Sequence, residues 1–109
     1  MIVRVLVEGT SDVPTVREVF VRDFGQVQGS DFQIYWHRGK GRLPQDLAAP
    51  PNARDATLLG LLPAKLRAYG KASPDDPVVV LVDADRDNWK MLKAQLDAVL
   101  AATAVDPKI

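Results

Sequence analysis

Val78-Val79-Val80-Leu81-Val82-Asp83-Ala84-Asp85-Arg86-Asp87 decides how this chain is read. Five apolar residues, four of them β-branched, run into three aspartates spaced two apart. An apolar run of that length reads as a strand buried on both faces, as in a parallel sheet covered by helices. Such a strand ends at the carboxyl edge of its sheet, where open α/β folds place their ligands. Side chains two apart in extended chain face the same way, with Cα atoms about 6–7 Å apart. Asp83 and Asp85 therefore aim at one point. Two carboxylates 4 Å apart repel by roughly 4 kcal/mol at an effective dielectric of 20. A cation between them removes that cost, and carboxylate oxygens suit a hard one such as Mg²⁺ or Mn²⁺.

Upstream of this stretch the chain alternates strand and helix. Ile2 to Val7 is a β-branched strand that runs into the turn cluster Glu8-Gly9-Thr10-Ser11-Asp12. A helix follows, with Val13, Val16, Phe20 and Phe24 on one face, Pro14 in its first turn and Gly25 as its stop. Phe32 to Trp36 is the second strand, and His37-Arg38-Gly39-Lys40-Gly41-Arg42 a glycine-spaced basic loop. A second helix is expected from about Asp55 to Tyr69, with Leu59, Leu62, Leu66 and Tyr69 in register. Pro63 is expected to kink it or to mark its true start. The turn Ser73-Pro74-Asp75-Asp76-Pro77 feeds the third strand. A last helix begins near Asn88, with Trp89, Leu92, Leu96 and Val99 facing inward. The order β-α-β-α-β-α implies an α/β fold with a parallel or mostly parallel sheet and right-handed crossovers.

Composition narrows the classes. The 109 residues suit one small domain, 1–109, and no linker divides them into parts long enough to fold alone. With 47% hydrophobic and 26% charged residues, disorder is not indicated. Lys and Arg number 14, as do Asp and Glu, so any nucleic-acid contact rests on a local patch rather than a global field. No cysteine is present, which excludes disulfides and thiolate zinc sites and suits a reducing compartment. The start lacks a charged leader and a long apolar span, so a cytoplasmic, non-membrane protein is expected.

Two of these segments together resemble the Toprim domain found in topoisomerases, bacterial primases, OLD-family nucleases and recombination mediators. Val5-Leu6-Val7-Glu8-Gly9-Thr10-Ser11-Asp12 is similar to its first motif and Val80-Leu81-Val82-Asp83-Ala84-Asp85-Arg86-Asp87 to its second. Gly39-Lys40-Gly41-Arg42 and Leu61-Leu62-Pro63-Ala64-Lys65-Leu66 look like segments of a poorly characterised bacterial Toprim-like family related to the OLD nucleases. The resemblance covers nearly the whole chain, and the pairing of the two acidic motifs carries more information than either alone.

The resemblance implies a three-layer, Rossmann-like Toprim sandwich and metal-assisted phosphodiester hydrolysis on DNA or RNA, with a role in phage defence or nucleic-acid processing. Carried over by position, Asp83 and Asp85 ligate the Mg²⁺, Glu8 is a further ligand or the general acid/base, and Asp87 is an outer partner. Gly9 leaves room for phosphate near the backbone, and Arg38, Lys40 and Arg42 are the candidate phosphate or nucleic-acid contacts. The last strand of that fold has no counterpart here, so the chain is expected to be the N-terminal part of a longer protein with an incomplete metal site. Tyr35 and Tyr69 lack the context of a topoisomerase nucleophile, which argues against strand passage.

Plainer readings stand beside these. Asp83 and Asp85 are also good turn acids for a helix starting near Asn88, and Asp87 reads better as a helix cap than as a ligand. Arg38, Lys40 and Arg42 fit a solvated loop equally well, or place Lys40 as a counter-ion to the acids. His37, the one histidine, reads as a surface or strand-end residue rather than a ligand or base. Trp36 and Trp89 read as core or interface residues. At the level of function, the alternatives are a non-catalytic binding or assembly module of the same fold, with a protein partner or a second copy, and a haloacid-dehalogenase-type phosphatase. The latter is weakened by Asp87, where Thr or Val is usual, and leaves Glu8 unexplained.

Overall fold

The computed structural model describes residues 2–50, 54–82 and 89–103. Three parallel strands, β1 (Val3–Val7), β2 (Phe32–Trp36) and β3 (Val78–Leu81), form an open sheet in the order β2-β1-β3. Val3 pairs with Phe32 and Val7 with Trp36; on the other side Arg4 pairs with Val78 and Val7 with Leu81. The helices are α1 (Val13–Glu18), α2 (Leu58–Ala72) and α3 (Trp89–Thr103). A 3₁₀ turn at Thr10–Asp12 leads into α1, and a π-helical stretch at Val19–Asp23 ends it.

The alternation of strand side chains divides the core. Leu6 belongs to one cluster with Leu58, Leu59, Leu62 and Leu66 of α2 and Leu92 and Val99 of α3, with Tyr35, Val78, Val80 and Val82 alongside. Val5 and Val7 point the other way, against Val16 of α1, with Val13, Phe20, Ile34 and Val79 packed around them. Each fully buried leucine contributes about 1.5–3 kcal/mol by leaving water, so the α2 side is the larger hydrophobic body. The face of α1 expected from its spacing is present for Val13, Val16 and Phe20. Phe24 is 62% exposed, its ring set edge-on to Phe20 at 5.4 Å. The reason is the π turn, in which Phe24 N–H donates to the Val19 carbonyl five residues back and swings the chain off the α-helical track.

Three expectations are corrected. The strand Val78–Leu81, expected to be buried on both faces, does pack on both, Val78 and Val80 on the α2 side and Val79 on the α1 side, but only partly, and Leu81 is exposed because β3 stands at one side of the described sheet. The most deeply buried strand is β1, whose Val5, Leu6 and Val7 are fully buried, because it alone among the described strands has a neighbour on each side. The second helix begins at Leu58 and runs to Ala72, through Pro63 and past Gly70. Pro63 therefore sits inside the helix rather than at its start, and its ring is buried in the α2 core. Of the two readings of Trp36, core or interface, its exposure on β2 removes the first and leaves the second untested. The side chain of Trp89 lies outside what is described.

At the amino edge of the sheet, Arg4 ties β1 to the turn before β3. Its guanidinium is 2.9 Å from Asp76 and 3.1 Å from Ser73 Oγ, and it stacks over the Tyr69 ring at 4.7 Å. The other oxygen of Asp76 accepts the Ile2 N–H at 3.1 Å. The backbone N–H of Ile2 foremost, then Arg4, hold the Asp76 carboxyl below its ordinary range. No helix among the described residues is long and apolar enough to cross a membrane.

Candidate functional site

The carboxyl edge of the sheet carries the residues that follow Val7, Trp36 and Leu81, namely Glu8, His37 and Val82. Because all three strands are parallel, these ends come out on one side. Glu8, the sequence's first candidate, thus stands at the end of the central strand, between the ends of β2 and β3. Val82 still packs in the α2 core. Asp83, Asp85 and Asp87 lie outside the described residues, so the expected three-carboxylate cluster is not itself described. Among the described residues no three of His, Asp and Glu stand close enough together to hold a metal ion. Of the expected ligands the described edge holds Glu8 alone, whose carboxylate is a hard oxygen donor.

Local folding explains how Glu8 and Gly9 are held. The Glu8 carbonyl accepts the Gly39 N–H at 2.8 Å. Gly9 N–H donates to Asp12 Oδ2 at 3.1 Å, while its carbonyl accepts the Asp12 N–H at 3.2 Å, a reciprocal cap that winds the chain into the 3₁₀ turn. The backbone of Gly9 is extended at φ −158°, so glycine is not required there by conformation. A Cβ at this position would come no nearer than 3.9 Å, to the His37 carbonyl.

The glycine-spaced loop is fastened to α2. Arg38 N–H donates to the Ala56 carbonyl, and the carbonyls of Gly39 and Lys40 accept the N–H groups of Leu58 and Leu59 at 2.9 and 2.8 Å. Two donors that a helix start normally leaves unsatisfied are thereby capped by this loop. Gly39 and Gly41 take left-handed φ values of 99° and 66°, which glycine tolerates best. Arg38 and Arg42 are exposed at this loop and Lys40 is half-buried. The loop therefore has a structural function, joining β2 to α2, and it carries Arg38 and Arg42 exposed on a fixed frame.

His37 departs most from expectation. It stands at a strand end, directly after β2, as one of its two expected places had it, but at 4% exposed it is buried rather than on the surface. Its Nδ1–H donates to the Val7 carbonyl at 2.8 Å, and its Nε2 faces Lys65 Nζ of α2 at 2.7 Å. A carbonyl only accepts, so the proton sits on Nδ1 and the lone pair of Nε2 receives a Lys65 N–H. Burial pushes the His37 pKa down, against the raising effect of the Val7 carbonyl, and the Lys65 ammonium lowers it further. Burial likewise depresses the Lys65 amine below the ordinary lysine range. Lys65 also lies 6.0 Å over the Tyr35 ring. Sequence reasoning singled out neither residue as a site. The available signals were a histidine directly after an apolar strand and a lysine set in the apolar run Leu61–Leu66.

Compared with family models, with curated proteins and with solved structures, the chain matches none.

Proposed function

We propose that this chain is a Toprim-like domain that hydrolyses phosphodiester bonds in DNA or RNA with Mg²⁺ or Mn²⁺. The observation that supports the reading is the pairing of Val7 with Leu81 in parallel register, since Glu8 and Val82, the residue before the aspartate motif in sequence, then follow neighbouring strands out of the same edge. In this reading Glu8, Asp83 and Asp85 hold the cation, with Asp87 outside them. The chemistry that such a cation supplies is neutralisation of phosphate oxygens and of the charge that grows in the transition state. The Glu8 carboxylate orients or deprotonates the attacking water, and Arg38, Lys40 and Arg42 meet the nucleic-acid backbone. The three-layer sandwich of the Toprim fold, cytoplasmic placement and a part in phage defence or nucleic-acid processing belong to the same reading.

The test is cleavage of a labelled single-stranded or duplex oligonucleotide in magnesium, by the wild type and by Asp85→Ala. Wild-type cleavage that chelation and Asp85→Ala both abolish is the expected result. Cleavage undiminished in Asp85→Ala overturns the reading. The exposed Trp36 on β2, a strand paired on one side only among the described residues, favours as second reading a non-catalytic module that docks on a protein partner or another copy. A stable complex without metal-dependent cleavage would decide for it.

A further inference from the structure

Lys65 is a half-buried ammonium that, among the described residues, meets a neutral ring nitrogen. Among the described residues no carboxylate lies within ion-pair distance of it, whereas the other cations of the interior are matched: Arg4 has Asp76 and Ser73, and Arg67 has the carbonyls of Leu47 and Ala49. An ammonium has three donors, and His37 Nε2 takes one. A cation drawn part-way out of water is stabilised by an anion that meets its other donors. The position matters as much as the charge. His37 follows β2 at the level of Glu8 and holds the Val7 carbonyl, so the ammonium stands at the carboxyl edge beside the end of β1. The imidazole is fixed by burial and by Val7, and it holds the flexible lysine stem in one place.

We infer that Lys65, held by His37, is an oxyanion contact that binds a phosphate group at the carboxyl edge of the sheet. It rests on the nucleic-acid reading above only for the source of that phosphate. The subsite itself requires no metal. In the complex the ammonium keeps His37 as one acceptor and turns its remaining donors to phosphate oxygens, charge-assisted bonds of the stronger kind. His37 acts as a positioning residue, since its own donor is committed to Val7.

The experiment uses the whole chain without divalent metal, with inorganic phosphate as the probe. His37 is the one histidine, so its ring nitrogens give one unambiguous set of NMR signals. Phosphate should shift the Nε2 signal in a saturable way. Lys65→Met should weaken that binding by about tenfold or more. Lys65→Arg, which keeps the charge, should restore most of it. An unmoved wild-type Nε2 signal overturns the subsite without reliance on any variant. Equal affinity in folded Lys65→Met overturns it as well. A thymidine oligonucleotide that competes with phosphate for the same shift supports nucleic acid as the source. Phosphate binding that no oligonucleotide displaces upholds the subsite and counts against the nucleic-acid reading. The loss of cleavage in Asp85→Ala is independent of both results.

Discussion

Lys65 Nζ lies 2.7 Å from His37 Nε2, and the other ring nitrogen of His37 is held by the Val7 carbonyl at 2.8 Å. One bond ties α2 to the residue after β2, the other ties that residue to β1, so the pair fastens helix to sheet at the carboxyl edge. The arrangement requires a neutral imidazole. Protonation would set an imidazolium N–H against an ammonium with no acceptor between them.

A pH dependence follows from this. Burial places the folded pKa of His37 below its ordinary 6.5, so the unfolded chain takes up this proton first. The stability it contributes is fully present above about pH 6.5 and is lost as the pH falls through the depressed value. Thermal unfolding midpoints recorded from about pH 7.5 downward should fall, and His37→Gln should flatten that slope. A wild-type midpoint that does not change as His37 titrates would contradict the neutral tautomer.

Asp76 supplies a second, lower window. Its carboxyl is held below 3.8, first by the Ile2 N–H and then by Arg4. Its contribution is present above that ordinary value and lost as pH falls through the lowered one. Asp76→Asn should lower the midpoint at neutral pH and remove the acid loss in this range. Arg4→Met should lower the midpoint too, since it frees both Asp76 and Ser73.

Gly60 shows two effects in competition. It lies inside α2, where alanine is favoured over glycine by about 1 kcal/mol. A Cβ there would collide with the Asp55 carboxylate, which accepts the Thr57 N–H and hydroxyl at 2.9 and 2.6 Å. Displacing it forfeits two hydrogen bonds of about 1 kcal/mol each, so Gly60→Ala should destabilise by about 1 kcal/mol. Asp55→Ala made first should reverse the sign, because the collision is gone. Denaturant melts of the two single variants and the double variant measure this directly.

Burial sets a third contrast. Leu62 is 1% exposed in the α2 core, and Leu62→Ala should cost about 2–5 kcal/mol, a large share of a small domain's stability. Met91, 64% exposed on α3, should tolerate alanine within about 0.5 kcal/mol. Urea unfolding of both variants is the check.

Amino-acid order alone determined the local elements and their direction. The three strands fall where their β-branched and aromatic runs stand, and all the described pairings are parallel, as strands separated by helices require. It also marked Glu8 as a strand-end carboxylate and Gly25, at φ 64°, as the end of the first helical segment. Only the tertiary structure decided which strand is central. Val78–Leu81 has the longer apolar run into acids, yet Val3–Val7 is the strand with neighbours on both sides, because pairing order depends on crossovers that no local run records. Tertiary contacts also moved the start of α2 to Leu58, where the Gly39 and Lys40 carbonyls cap its first N–H groups from a loop far back in sequence. The His37–Lys65 pair has the same origin: 28 residues separate the two, and a hydrogen bond across that distance exists only once helix and sheet have packed.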